Sequence, residues 1–253
     1  MPCVRIAAAG DLHADERVAP RIDEAFAHVA DAADVVLLAG DLTAHGEPHE
    51  MEVVAAACAR LALPVYTVLG NHDHHANRVV ELTSILEAAG VVVLERSSAV
   101  ASLNGAMLGI AGTKGFVGGF PGSTLPDFGE PLLREVYAET GKDVVALDSA
   151  LEKIAGCPLR VVLLHYSPTM STLLGEPESI WTYLGSNRLD GPIQRHRPDL
   201  VLHGHAHEGT FAGAIGTVPV YNVAVHVMHR DFFIFELDTD APDGHGARLE
   251  ATV

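Results

Sequence analysis

The chain is poor in cysteine and in basic residues, and each shortage argues against a class of protein. Its three cysteines, Cys3, Cys58 and Cys157, are odd in number, widely spaced and free of any C-x-x-C pair. This usage argues against a disulfide framework or a cysteine zinc site and favours reduced thiols in the cytoplasm. Only 16 Lys and Arg stand against 33 Asp and Glu, for a net charge of −17. A field of that sign repels long nucleic acids and anionic membranes.

Long hydrophobic runs are also missing. No segment approaches the ~18 consecutive apolar residues of a membrane span, and Arg5 and Asp11 interrupt the N-terminal apolar stretch, which has no basic region before it. We therefore expect neither a signal peptide nor a membrane partner, and a cytoplasmic location. With 48% hydrophobic residues, no internal repeat and no linker, the chain is expected to form one domain over 1–253.

Five short apolar runs each end in polar residues. Such continuous runs are typical of strands buried on both faces. The runs are CVRIAAAG before Asp11, DVVLLAG before Asp41, PVYTVLG before Asn71, RVVLLH ending at His165, and DLVLHG before His205. Helical patterns over 20–31, 49–62 and 77–89 follow the first three runs. Strand and helix in alternation predict βαβ units with a parallel sheet.

The second half of the chain has a different pattern. Asn104-Gly105 between two β-like runs predicts a hairpin with a type I′ turn, residues 130–155 a long helix, and the segments from 208 onwards antiparallel strands. The expected fold is α/β, a four-layer α-β-β-α sandwich of two mixed β-sheets flanked by helices. Two stretches, 113–130 and 167–190, are expected to be long loops, either functional walls of a site or ordinary exposed connections.

The polar residues behind the strands predict a metal centre. Carboxyl ends of strands in open α/β sheets meet at one crevice. The seven side chains that would meet there are Asp11, His13, Asp41, Asn71, His165, His205 and His207. One ion takes roughly four to six ligands, so seven suit two ions ~3.5–4 Å apart. Imidazole, carboxylate and amide ligands favour Mn²⁺, Fe or Zn²⁺ over Ca²⁺, and Asp41 is the expected bridge.

Each motif taken alone has an ordinary structural explanation. Gly40-Asp41 could form a turn, and Asn71-His72 could belong to the loop that caps a helix. All five motifs occur in order, each behind an apolar run, and this joint occurrence favours the metal centre.

At these motifs the chain resembles the calcineurin-like metallophosphoesterases. The matching stretches are GDLH (10–13), GDLT (40–43), GNHD (70–73), LLHYSP (163–168) and GHAH (204–207). The resemblance implies two mixed sheets flanked by helices. It also implies one ion on Asp11, His13 and His207, and a second on Asn71, His165 and His205, with Asp41 between them. His72 would not be a ligand and would lie over the leaving group.

The chemistry expected of this arrangement is hydrolysis of a phosphoester. Two ions would neutralise the phosphate and lower the pKa of a bridging water, so that hydroxide attacks phosphorus. His72 would then protonate the leaving alkoxide. His72 and Asp41 are the predicted catalytic residues.

Two departures from related patterns narrow the activity. The second motif reads GDLTAHG rather than the G-D-x-V-D-R-G of protein Ser/Thr phosphatases, so that activity is not expected. The aspartate that orients the acid histidine there is absent, and Asp15 is one candidate for its place. His74 and His75 could contact substrate, or begin the next helix and face solvent.

The substrate is expected to be a small phosphodiester, because the chain is similar to bacterial-type phosphoesterases that include enzymes acting on cyclic nucleotides. Phosphomonoesterase or nuclease activity at the same site, and a non-catalytic binding or scaffold protein, are the alternatives. Trp181 and Tyr183 could stack on a base and Arg188 could bind phosphate, or the two aromatic residues could only pack their loop. The oligomeric state stays open, with a homodimer as one option.

Overall fold

The computed structural model describes residues 3–239 and 247–250. A first six-stranded sheet has the order β14-β13-β1-β2-β3-β4. Its strands are β1 (Cys3–Ala9), β2 (Val35–Ala39), β3 (Val65–Val68), β4 (Val92–Val93), β13 (Phe233–Asp238) and β14 (Ala247–Glu250). Strands β1 to β4 run parallel, and β13 pairs antiparallel with β1 and with β14.

A second six-stranded sheet has the order β11-β12-β10-β9-β6-β5. Its strands are β5 (Ser97–Leu103), β6 (Ala106–Thr113), β9 (Leu159–Leu164), β10 (Leu200–His203), β11 (Ala212–Ile215) and β12 (Val218–Asn222). Strands β6, β9, β10 and β12 run parallel, with an antiparallel strand at each edge. A small hairpin of β7 (Gly119–Phe120) and β8 (Ser123–Thr124) stands apart.

Four of the helices lie on the predicted segments, and three short ones were not predicted. The bounds are α1 (Ala19–Val29), α2 (Pro48–Ala59), α3 (Val79–Ala88), α4 (Pro131–Lys153), α5 (Trp181–Leu184), α6 (Asp190–His196) and α7 (Val225–Met228). No helix of the described residues is both long enough and apolar enough to cross a bilayer.

The two sheets face each other, and helices cover their outer faces. Alternation along β9 shows the layering, because neighbouring strand residues point to opposite faces. Val161 and Leu163 belong to the core that includes the first sheet, whereas Val162 and Leu164 pack in a second cluster with residues of α4 and α6. Helices α1 to α3 contribute to the first core. The predicted α/β fold of two mixed sheets flanked by helices is confirmed.

The predicted hairpin is confirmed as well. Asn104 and Gly105 join β5 to β6 with φ values of 50° and 82°. Positive φ at both central positions is what a type I′ turn requires.

Three predictions need correction or limits. The strands after residue 208 are not all antiparallel, because β12 pairs parallel with β10 and only its other neighbour, β11, is antiparallel. The stretches 113–130 and 167–190 are not wholly irregular, since they carry the β7–β8 hairpin, α5 and three short 3₁₀ helices. Residues 251–253 of the last predicted strand lie outside the described residues.

Gly112 of β6 allows the second sheet to approach the first. A Cβ atom at this position would lie 2.5 Å from the Leu94 Cβ and 3.2 Å from the Val68 Cγ1. Both neighbours are buried, so neither can move aside into solvent.

We therefore expect Gly112→Ala to lower the free energy of unfolding by about 1–3 kcal/mol, the usual range for overpacking a core. Urea denaturation of the purified protein measures the change. Gly156→Ala is the matched control, because a Cβ there would meet nothing within 4 Å. Equal stability of the two variants would contradict the close approach of the sheets.

Candidate metal centre

The predicted ligands gather at the carboxyl ends of β1, β2, β3, β9 and β10. The backbone turns sharply there, because four of these residues adopt left-handed conformations. They are Asp11 (φ 59°), His13 (φ 44°), Asp41 (φ 48°) and His205 (φ 72°). Such conformations are uncommon outside glycine and cluster at functional sites. The strained turns aim consecutive polar side chains into one crevice rather than to opposite sides of a strand.

The first group of ligand atoms comes from Asp11, His13 and His207, which lie within 4.8 Å of one another. The Nε2 atoms of His13 and His207 are 3.3 Å apart, and His207 Nε2 is 2.9 Å from Asp11 Oδ1. Asp11 is fully buried and also accepts the backbone N–H of His205. Two imidazole nitrogens and a carboxylate oxygen converging at this spacing can hold a metal ion.

The second group contains Asp41, His165 and His205, again within 4.8 Å. His165 Nε2 lies 3.3 Å from Asp41 Oδ1 and 2.9 Å from Asn71 Oδ1. The other ring nitrogen of His165 donates to the Ala39 carbonyl at 2.9 Å, which leaves Nε2 to face the group. The structure therefore brings all the predicted members of this group together.

Hydrogen bonds to carbonyl groups orient the ligand imidazoles, as is common around protein-bound metals. Nε2 of His205 donates to the backbone carbonyl of Tyr183 at 3.1 Å. His205 therefore presents Nδ1 to the group, whereas His165 presents Nε2.

Asp41 lies between the two groups. Its side chain is almost fully buried, with Oδ1 toward His165 and Oδ2 4.0 Å from the Nε2 atoms of both His13 and His72. Its Oδ1 also accepts the backbone N–H of His72 at 2.8 Å. This position suits the bridging role predicted for Asp41.

Burial prepares two of the ligand imidazoles, those of His13 and His205, for metal binding. Burial lowers the pKa of His13 to about 4 and that of His205 to about 3, so both are neutral at pH 7 and offer a lone pair. Burial alone would raise the pKa of Asp11, but the hydrogen bond with His207 and the charges of His165 and His207 hold it below its usual range. The same hydrogen bond raises the pKa of His207.

His72 stands beside the two groups, and the structure corrects the interpretation of what orients it. Its Nδ1 donates to the backbone carbonyl of Ala44 at 2.7 Å, so Nε2 faces Asp41. Asp15, the candidate for this role, instead accepts from the backbone and guanidinium of Arg17. The main chain of the second motif thus replaces the missing aspartate, which no side-chain pattern could reveal.

Asp73, the last residue of GNHD, supports the centre from beneath. This buried carboxylate accepts the backbone N–H groups of Gly70, Leu42 and Thr43 and the Thr43 hydroxyl. It therefore ties the loop after β2 to the loop after β3. Sequence reasoning missed this role, although a carboxylate directly after Asn71-His72 was a visible signal.

Two histidines outside the predicted set also lie close to the cluster. The His226 ring stacks on that of His207, with centroids 4.3 Å apart and planes 13° apart. His203 is buried, with Nδ1 donating to the Gly204 carbonyl and Nε2 contacting the Thr172 hydroxyl. His226 follows β12, which has no motif of the repeated kind, so no sequence signal separated it from ordinary surface histidines.

The three residues predicted to contact substrate, Trp181, Tyr183 and Arg188, lie in different surroundings. Trp181 packs in a cluster with Phe120 and donates its indole N–H to the Glu176 carbonyl. Tyr183 is 62% exposed, and its backbone carbonyl accepts a hydrogen bond from His205 of the ligand cluster. Arg188 stacks on the Tyr137 ring and donates to its carbonyl, and none of the described contacts joins it to the ligands. Roles of these three residues in substrate binding stay predictions, as do those of the exposed His74 and His75.

Comparison with known proteins identifies the class to which this fold and site belong. The model of the calcineurin-like phosphoesterase family matches residues 4–209. Because this match covers most of the chain, the protein belongs to the calcineurin-like phosphoesterase family, and the predicted resemblance is confirmed. No curated protein sequence gives a significant match.

Solved structures share the fold at low sequence identity. Phosphopantetheinyl hydrolase from Mycobacterium tuberculosis superposes with a TM-score of 0.64 at 16% identity, covering 87% of this chain and 88% of that one. The protein TT1561 of Thermus thermophilus gives 0.60 at 18% identity, with coverages of 94% and 95%. GAP50, the anchor in the inner membrane complex of Plasmodium, gives 0.62 at 11%, with coverages of 98% and 89%. An enzyme and an anchor thus share this fold, so function must be argued from the site.

We expect the purified protein to bind about two Mn²⁺ ions per chain. Asp41→Ala should lose at least one of them, because its carboxylate serves both groups, whereas His72→Ala should keep both. Metal analysis after gel filtration measures the content, with a variant of the exposed His75 (His75→Ala) as the control. Loss of metal from His72→Ala together with full occupancy in Asp41→Ala would contradict these assignments.

Proposed function

We propose that the protein is a binuclear metal-dependent phosphoesterase that hydrolyses a small phosphodiester, such as a cyclic nucleotide. The observation that carries this proposal is the position of Asp41, whose two carboxylate oxygens face His165 on one side and His13 on the other. One buried carboxylate between two imidazole groups is the arrangement that a pair of nearby cations requires.

The donor set fits such a pair. The residues that would hold the ions are Asp11, His13 and His207 on one side, Asn71, His165 and His205 on the other, and Asp41 between them. Nitrogen and oxygen donors without thiolate suit Mn²⁺, Fe or Zn²⁺. Bound there, the ions would supply Lewis acidity toward a phosphoryl oxygen and lower the pKa of water.

The protein itself orients His72, which can supply a proton to the leaving group. The Ala44 carbonyl fixes the His72 ring so that Nε2 lies 4.0 Å from Asp41 Oδ2, at the edge of the ligand cluster. In its protonated form this Nε2 can donate to the oxygen that leaves phosphorus, which is a strong base when it departs as an alkoxide. Left-handed backbone conformations at Asp11 and Asp41 place the two carboxylates in the ligand cluster.

The charges around the centre support a diester. Among the described residues, no lysine or arginine side chain makes a hydrogen bond or an ion pair with the predicted ligands or with His72. A diester phosphate carries one negative charge and a monoester about two near pH 7, so the diester needs less added positive charge. The net charge of −17 supports a small substrate over a long nucleic acid.

The proposal also includes a cytoplasmic location and one alternative from outside the enzymes. A cytoplasmic location is supported by the three cysteines, all of which are free thiols. The alternative from a different class is a non-catalytic binding protein, and GAP50, the anchor in the inner membrane complex of Plasmodium, shares the fold. The complete donor set and the orientation of His72 support catalysis instead.

Metal-stripped protein should hydrolyse bis-p-nitrophenyl phosphate only after Mn²⁺ is added back, and faster than p-nitrophenyl phosphate. Release of p-nitrophenol, measured by absorbance, follows both reactions. Faster cleavage of the monoester would favour a phosphatase. No cleavage of either ester by protein that holds two ions would favour the binding protein.

His72→Ala should lower kcat by about 100-fold or more for an ester with an alkyl leaving group, the usual range for a lost general acid. The loss should be much smaller for a p-nitrophenyl ester, because p-nitrophenolate leaves without a proton. Comparison of methyl p-nitrophenyl phosphate with a dialkyl phosphate in both proteins measures the difference. Equal losses on the two esters would show that His72 acts in some other way.

A further inference from the structure

Lys114 follows the carboxyl end of β6, next to the strand that carries His165. The Lys114 carbonyl accepts the backbone N–H groups of His165 at 3.1 Å and of Tyr166 at 3.0 Å. These two hydrogen bonds fix the start of the 113–130 loop against the ligand-bearing end of β9. Lys114 therefore belongs to the wall of the crevice.

The Lys114 ammonium is partly buried and has no ion-pair partner among the described residues. Nζ lies 4.5 Å from the centroid of the Phe116 ring and 5.0 Å from that of Tyr166. Its one hydrogen bond in the described structure goes to the Gly115 carbonyl at 3.1 Å. Among the described residues, no carboxylate oxygen lies within 4.0 Å of it. An ammonium has three donors, so donors remain for a ligand.

The carboxylates whose charges act on Lys114 make their own contacts with other residues. Asp143 accepts from the Arg96 guanidinium at 2.9 Å and from the Thr113 hydroxyl at 2.6 Å. Glu95 lies 3.7 Å from the same guanidinium. Burial lowers the pKa of Lys114, and the charges of Asp143 and Glu95 oppose this effect.

A single aromatic ring separates this ammonium from the metal centre. Lys114 Nζ contacts the Tyr166 ring. The centroid of this ring lies 4.3 Å from that of the His205 ring and 5.4 Å from that of the His165 ring. The Lys114 ammonium thus contacts the ring that packs against His165 and His205, two of the predicted ligands.

We infer that Lys114 binds a second anionic group of the substrate, a carboxylate or a phosphate away from the phosphoryl group that reacts. The inference rests on the proposed function and narrows its substrate class to phosphodiesters with an additional negative charge. Phe116 and Tyr166 hold the ammonium through cation–π contacts, so little side-chain freedom is lost when an anion binds. In a chain of net charge −17, an anion has few other cations to find.

Matched ester pairs test this inference. Alkyl p-nitrophenyl phosphates of increasing chain length are compared with the ω-carboxyalkyl esters of equal length, so that scissile bond and leaving group stay the same. At the best length, the wild-type kcat/KM should favour the carboxylate about tenfold, as a charge-assisted contact of about 1.4 kcal/mol gives. The gain should lie in KM. Lys114→Met should abolish the preference, because it should lower kcat/KM far more for the ω-carboxyalkyl esters than for the alkyl esters.

Two further variants define the controls. Lys114→Arg should retain part of the preference, because it keeps the charge. Lys142→Met should retain all of it, since Lys142 is exposed on α4 and pairs with Glu139. No preference in the wild-type protein at any length, the same preference in Lys114→Met, or equal losses on both ester types would overturn the inference.

A binding measurement separates failure of this inference from failure of the proposed function. Calorimetric titration of the metal-loaded protein with methylenediphosphonate, which has two anionic groups, and with methylphosphonate, which has one, needs no turnover. Lys114→Met should weaken the binding of the first ligand about tenfold and leave that of the second unchanged. Tenfold weaker binding of methylenediphosphonate by Lys114→Met, without hydrolysis of any ester, would contradict the proposed function but not the role of Lys114. Equal affinity of the wild-type protein and Lys114→Met for methylenediphosphonate would contradict the role of Lys114.

Discussion

The interaction on which the rest of the site depends is the burial of the Asp41 carboxylate between the imidazoles of two separate sheets. Burial raises the pKa of Asp41, an effect that His165 opposes and the nearby Asp11 charge increases. Two carboxylates this deeply buried are costly unless cations compensate them. Cations bound at this polar cluster would therefore contribute their binding free energy directly to the stability of the fold.

Local backbone geometry supports this arrangement at each strand end. Gly40 has φ +82°, and a Cβ there would lie 2.7 Å from His165 Nδ1. A side chain at Gly70 would collide with Asp41, and one at Gly204 with Asp11. Space is therefore one reason for the glycine that precedes each of these polar motifs, and the positive φ is a second reason at Gly40. The glycine lets the loop of one strand pass directly under the ligand of another.

Much of the fold and of the ligand set follows from local patterns in the chain. Apolar runs with polar ends locate the parallel strands, and convergence of strand ends groups the ligands without knowledge of distances. The rest depends on tertiary contacts. The Ala44 carbonyl that orients His72 is a main-chain atom, so no residue type marks it. Arg188 has the right charge for phosphate, yet Tyr137 of a distant helix engages its guanidinium. Parallel pairing of β12 is likewise set by packing on β10 rather than by its own sequence.

The contact between the Tyr183 carbonyl and His205 Nε2 makes the 167–190 loop part of the coordination chemistry. Whatever holds that carbonyl in place also fixes the His205 tautomer that offers Nδ1 to an ion. By thermodynamic reciprocity, an ion that prefers this tautomer must favour the folded loop to the same degree that the folded loop favours the ion. The 167–190 loop therefore contributes to ion affinity although it supplies no ligand. Changes in its sequence can strengthen or weaken ion binding while every ligand stays the same.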